Sequence, residues 1–88
     1  MEIIYSEKAR EDIEYWKKSG NIAVMNKITA LINDIALHPY TGIGKPEKLR
    51  YELSGKWSRR INEEHRIVYI VDETKNKIYI LALRYHCK

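Results

Sequence analysis

His65-Arg66-Ile67-Val68-Tyr69-Ile70-Val71 and Lys77-Ile78-Tyr79-Ile80-Leu81-Ala82-Leu83-Arg84-Tyr85-His86 decide the fold. Both stretches are rich in β-branched and aromatic residues, and polar turn formers, Asp72-Glu73-Thr74-Lys75-Asn76, separate them. A link this short favours antiparallel neighbours. Upstream, the same period of two predicts strands over residues 57–61 and 49–53, with turns at Asn62-Glu63-Glu64 and Ser54-Gly55. Residues 39–48 carry two Pro and two Gly without periodicity, which predicts a surface loop.

Further upstream the period changes to that of a helix. Met25, Ile28, Leu31, Ile32 and Ile35 form one apolar stripe after Asn21, and His38-Pro39 ends it, because Pro disfavours helix in the residue before it. Ala9, Ile13 and Trp16 form a second stripe, with Ser6 as N-cap, Glu7 at the positive end of the helix dipole and Gly20 as the left-handed stop. Ile3-Ile4-Tyr5 reads as a short strand. The expectation is therefore one α+β domain over residues 1–88. An N-terminal strand and two helices precede antiparallel strands, which form a twisted sheet with the helices on one face.

Composition narrows the function classes. An 88-residue chain of 10.5 kDa has room for one modest core. No long charge-free apolar run is present, which excludes a spanning helix and argues against a membrane partner. Met1-Glu2-Ile3-Ile4-Tyr5 lacks the basic start and apolar stretch of a secretory signal. The single cysteine, Cys87, cannot form an intrachain disulfide, so a cytoplasmic location is expected. Charge is uneven: residues 1–44 carry 5 Lys/Arg and 6 Asp/Glu, whereas residues 45–88 carry 11 and 6. A cationic C-terminal half fits a polyanionic partner, or simply a solvated basic surface.

The ionisable residues point to side-chain chemistry without a metal or other cofactor. His38, His65 and His86 lie far apart and form no zinc-like pair, and Cys87 adjoins His86 on the opposite face of a regular strand. No phosphate-cradling glycine motif occurs. Regular alternation puts Arg84 with His86, and Arg66 with Val68. Such polar strand ends border a groove rather than fill a core. His65, Trp16 and Trp57 are expected to be structural, and His38 a helix-end residue. Metal-free cleavage of RNA needs a base for the ribose 2′-hydroxyl, a cation for the phosphorane and an acid for the departing 5′-oxygen.

Gly44-Lys45-Pro46-Glu47, Leu53-Ser54-Gly55, Trp57-Ser58-Arg59-Arg60-Ile61, Glu63-Glu64-His65-Arg66 and Arg84-Tyr85-His86 stand in an order and spacing that resemble the Txe/YoeB toxins of the RelE/ParE superfamily, which belong to type II toxin–antitoxin systems. The resemblance implies a RelE-like fold and a ribosome-dependent mRNA interferase. It implies Glu47 as general base, Arg66 as transition-state stabiliser and His86 as general acid. Arg50 and Arg60 would hold the RNA backbone, with Lys45, Lys48, Arg59 and Arg84 as further RNA-binding cations. The implied partners are messenger RNA at the ribosomal decoding site, an acidic YefM/Phd-like antitoxin and a second copy in a homodimer. The family typically has Lys at Arg50, often Pro at Lys48, and ends in Tyr where this chain has Cys87-Lys88. The alternatives are a ParE-like toxin that acts on gyrase by binding alone, and a catalytically inert RNA- or ribosome-binding module.

Overall fold

A computed structural model describes residues 1–86, His86 by its backbone alone. Strand β1 (Glu2–Tyr5) leads into helix α1 (Glu7–Ser19) and helix α2 (Ile22–Leu37). Strands β2 (Glu47–Lys48), β3 (Trp57–Arg60), β4 (His65–Asp72) and β5 (Lys77–His86) follow. The predicted caps form: Ser6 Oγ accepts from Ala9 N–H at 3.0 Å, and Gly20 closes α1 at φ 71°. Asn21 caps α2 by accepting from Val24 N–H.

The sheet runs β1-β5-β4-β3-β2. The neighbours from β2 to β5 are antiparallel, as the short links require, while β1 pairs in parallel with β5. Ala9, Trp16, Val24, Ile28, Leu31 and Ile35 of the helices bury against Ile67, Tyr69, Ile78, Ile80 and Leu83 of the sheet. Each fully buried Leu or Ile contributes about 1.5–3 kcal/mol of hydrophobic stabilisation. The opposite face of the sheet stays partly open, and there Arg60 is exposed.

Two local expectations are corrected. Residues 49–53 are not a strand. Glu47–Lys48 makes the short edge strand instead, and Tyr51–Leu53 coils into a 3-10 turn with Tyr51 at φ 59°. A backbone turned left-handed at Tyr51 cannot continue a ladder. Secondly, β5 is irregular. Its register to β4 shifts on either side of Val68, with an extra residue on β5 each time. Such bulges break the two-residue alternation, so the core residues are Ile78, Ile80 and Leu83 rather than an unbroken i, i+2 series.

Beyond Ile80, β5 has outrun β1, and side chains of α1 and of its N-cap Ser6 take over its free edge. Ser6 Oγ donates to Leu81 O at 3.1 Å and Trp16 Nε1 donates to Leu83 O at 2.9 Å. The Leu83 N–H donates to the buried Asp12 carboxylate at 2.8 Å.

Candidate active site

The open face gathers one carboxylate and a guanidinium. Glu47 stands opposite Ser58 across the β2–β3 ladder, and Ser58 opposite Val68 across β3–β4. Directly opposed residues in an antiparallel pair share a face. Arg66 lies one step along this face, opposite Arg60. Its Nη1 donates to Glu47 Oε1 at 3.1 Å and to Ser58 Oγ at 3.0 Å. The Arg66 side chain is 9% exposed and that of Glu47 57% exposed, so a nearly buried cation meets a carboxylate that solvent and a ligand can reach. The buried Ser58 hydroxyl fixes the direction of the guanidinium.

Of the expected cations, Arg60 stands opposite Arg66 on this face, whereas Lys48 stands opposite Trp57 on the other. Lys45, Lys48, Arg50 and Arg60 are all exposed. Two non-glycine residues with left-handed backbones, Lys45 (φ 52°) and Tyr51 (φ 59°), bracket β2. Each such conformation costs an L-residue roughly 1–2 kcal/mol. Tyr51 is 91% exposed, with its ring in solvent.

Two expected RNA contacts are corrected. Arg59 is fully buried and belongs to the other face, where Trp57 also packs. Its guanidinium donates to the Asp34 carboxylate and to the carbonyls of His38, Thr41 and Ile43, while Nε donates to the Tyr69 hydroxyl. Tyr69 in turn donates to Pro39 O. Arg59 thus spends its donors holding the loop after α2 against the sheet. Trp57 and Ile61, two residues either side, carry the signal in the sequence: all three share a strand face, and two of them are apolar. Arg84 is also drawn away. Its guanidinium lies over the Tyr15 ring of α1 at 3.4 Å, a cation–π contact on the helix side.

At the end of β5, Tyr85 is the residue opposite Arg66, and the His86 backbone is opposite His65. Tyr85 therefore joins the Glu47–Arg66 face, because the two one-residue shifts together restore the alternation that Ile78 and Ile80 set. The side chain of His86, together with Cys87 and Lys88, lies outside the described residues. His65 is buried and packs edge-on against Trp16, as a structural histidine does. Ser58, Tyr51 and Tyr85 were not among the residues singled out from the sequence. Among the described residues, no three His, Cys, Asp or Glu side chains gather where they could hold a metal ion.

A compact sheet with two helices on one face, and a carboxylate–arginine pair beside an exposed arginine on the other, is the architecture of small toxins from bacterial toxin–antitoxin pairs. The sequence matches the family of YoeB-like toxins of bacterial type II toxin–antitoxin systems over residues 5–87, and the chain belongs to that family. It is 46% identical to toxin YoeB of Escherichia coli K12 over 86 residues, spanning 98% of this chain and 99% of that one. It is 43% identical to toxin YoeB of Streptomyces coelicolor, again over 98% of the chain and 99% of the relative. Among solved structures it superposes on a YoeB/ParE toxin from Agrobacterium tumefaciens with a TM-score of 0.91 at 33% identity, covering 99% of this chain and 100% of that one. The YoeB dimer from Staphylococcus aureus matches with a TM-score of 0.86 at 42% identity, covering 99% and 98%. The YoeB chain of a heterotetrameric YoeB–YefM complex from the same organism matches at 0.84 and 42%, with the same coverage.

Proposed function

We propose that this toxin is a metal-independent endoribonuclease that cleaves messenger RNA on the ribosome and so stops translation in the cytoplasm. The observation that carries the reading is the Glu47–Arg66 contact of 3.1 Å on the open face, beside the exposed Arg60. RNA brings its own nucleophile, so the protein needs to move protons and stabilise charge. Glu47 takes the proton of the ribose 2′-hydroxyl. The freed oxygen attacks the adjacent phosphorus, and the Arg66 guanidinium neutralises the negative charge that grows on the non-bridging oxygens. By the family resemblance, His86 delivers a proton to the 5′-oxygen as its bond to phosphorus breaks. The products are a 2′,3′-cyclic phosphate and a 5′-hydroxyl. Lys45, Lys48, Arg50 and Arg60 hold the flanking strand through its phosphates.

The same cations suit an acidic antitoxin segment that folds on binding and covers the groove. The partnership of the Staphylococcus aureus relative with YefM, and its dimer, support a YefM-like inhibitor and a homodimer here. The test is primer extension on messenger from programmed ribosomes treated with purified protein. Cuts that disappear with Glu47→Gln establish the reading. Intact messenger with a folded wild-type protein overturns it in favour of a toxin that acts by binding alone, on gyrase or on the ribosome.

A further inference from the structure

A second basic recess opens where β3 turns into β4, apart from the Glu47–Arg66 contact. It encloses about 340 Å3, and its walls come from three parts of the chain. Lys27 reaches it from α2, Gly44 and Lys45 from the loop before β2, and Arg60 from β3, with Glu63 of the turn as its one carboxylate. Among the described residues, none of Lys27, Lys45 and Arg60 is engaged in an ion pair. Unpaired like charges facing one recess repel, and an anion placed between them removes that cost.

The backbone around the recess is fixed. Arg60 N–H donates to Gly44 O at 2.7 Å. Gly44 (φ 80°) packs so closely that a Cβ there would stand 2.5 Å from Leu31 Cδ2 and 3.2 Å from Arg60 O. Lys45 follows in a left-handed conformation that a side chain makes unfavourable. Strain of this kind collects at functional positions. Here it projects an ammonium group from a pinned loop. Arg60 also stands opposite Arg66 across the ladder. One residue therefore borders both the recess and the Glu47–Arg66 pair.

We propose that the recess is a second phosphate site. It takes a phosphodiester of the same RNA strand, next to the scissile one, and Lys27 is the cation that closes it from the helix layer. This rests on the reading of the protein as a ribonuclease and adds to it a residue, Lys27, from outside the sheet. The site fixes where along the strand the scissile bond falls.

The test measures binding to ribosomes programmed with messenger bearing a single neutral methylphosphonate linkage, moved one position at a time around the cut. It is done in a Glu47→Gln background, so that binding is read whether or not cleavage occurs. Lys27→Met, which keeps the stem and removes the charge, is expected to weaken binding to native messenger and to lower the log–log salt slope by about one unit. At one flanking linkage the methylphosphonate is expected to weaken Lys27 protein, while adding nothing to the loss already caused by Lys27→Met. Losses that multiply at every linkage overturn the proposal. If they do so while the salt slope still falls, Lys27 meets a phosphate of ribosomal RNA and not of the cleaved strand. Failure of the ribonuclease reading is read separately, from wild-type protein that leaves messenger uncut.

Discussion

Asp12, near the start of the chain, accepts a hydrogen bond at 2.8 Å from the backbone N–H of Leu83, near its end. The carboxylate is 2% exposed and also accepts from Lys8 Nζ at 2.6 Å. With Ser6 and Trp16 it lets α1 stand in for a strand along the last part of β5. That part carries Tyr85 to its place opposite Arg66. The α1 helix thus acts on the candidate site through the backbone of β5, although none of its side chains belongs to the Glu47–Arg66 cluster.

Asp12→Leu therefore leaves the Leu83 N–H buried without an acceptor, at a cost of about 1–3 kcal/mol. Asp12→Asn keeps an oxygen at the same place and is expected to retain most of the stability. Denaturant unfolding gives the first comparison. The second is the backbone amide shifts of Leu83–Tyr85, which are expected to move in Asp12→Leu and hold in Asp12→Asn. Equal stability of the Leu variant and the parent would show the contact to be idle.

Asp34 links acid stability to the Arg59 cluster. The hydrogen bond from Arg59 holds its carboxyl below the usual aspartate value of 3.8, against a smaller opposing effect of burial. A group whose value is lowered by folding stabilises the fold above its unfolded value. That contribution is lost as pH falls through the lowered one. The wild type is thus expected to lose stability from about pH 4 downward, and Asp34→Asn to be weaker at neutral pH with a flatter acid limb. Gly42→Ala should mimic the defect, because a Cβ there would stand 1.9 Å from Asp34 Oδ2. Melting curves at neutral and acid pH check both variants, and a parallel acid limb in Asp34→Asn would remove Asp34 from the account.

The catalytic scheme separates three side chains by what each removes. Glu47→Gln takes away a base and is expected to slow cleavage by roughly 10²–10⁴-fold without unfolding the protein, since the side chain is mostly exposed. Arg66→Lys keeps a cation but loses the planar guanidinium, whose Nη1 donates to both Glu47 and Ser58. It should slow the chemical step more than it weakens ribosome binding. Ser58→Ala leaves both charges in place and removes only the acceptor that aims Arg66. Its expected effect is smaller than that of Arg66→Lys, with a stability loss of about 1 kcal/mol. Single-turnover rates beside binding constants distinguish the three. Wild-type rates for Glu47→Gln would end the acid–base reading.

Much of this was legible in the chain. The caps at Ser6, Gly20 and Asn21, the two apolar stripes and the strands from Trp57 onward follow from local rules. Glu47 and Arg66 were identified by resemblance, and their contact 19 positions apart is a fact of the sheet register. What escaped the sequence reading has a common cause. The two bulges in β5 move its register by two residues, so Tyr85 rather than Leu83 stands opposite Arg66, and Leu83 turns into the core. The partners of Arg59 come from the end of α2 and the loop after it, which no local pattern places against β3. The left-handed turn at Tyr51 has no glycine to announce it.

Tyr51 yields the last prediction. Its ring is 91% exposed and its backbone sits at φ 59°, four residues after Glu47 on the same edge of the sheet. Glycine adopts this conformation without strain, so a Tyr here costs the folded state roughly 1–2 kcal/mol. An exposed aromatic on a turn next to exposed Lys48 and Arg50 is suited to stacking on an RNA base, a contact worth roughly 1–3 kcal/mol. Three substitutions separate strain from stacking. Tyr51→Phe keeps the ring and is expected to bind and cleave like the parent. Tyr51→Ala loses the ring while keeping a Cβ, so binding to programmed ribosomes should weaken by the stacking contribution. Tyr51→Gly loses the ring and relieves the backbone, and is expected to melt at or above the parent temperature while binding as weakly as Tyr51→Ala. If Tyr51→Gly binds as well as the parent, the ring makes no contact with RNA, and the left-handed turn serves only to carry the chain from β2 back toward β3.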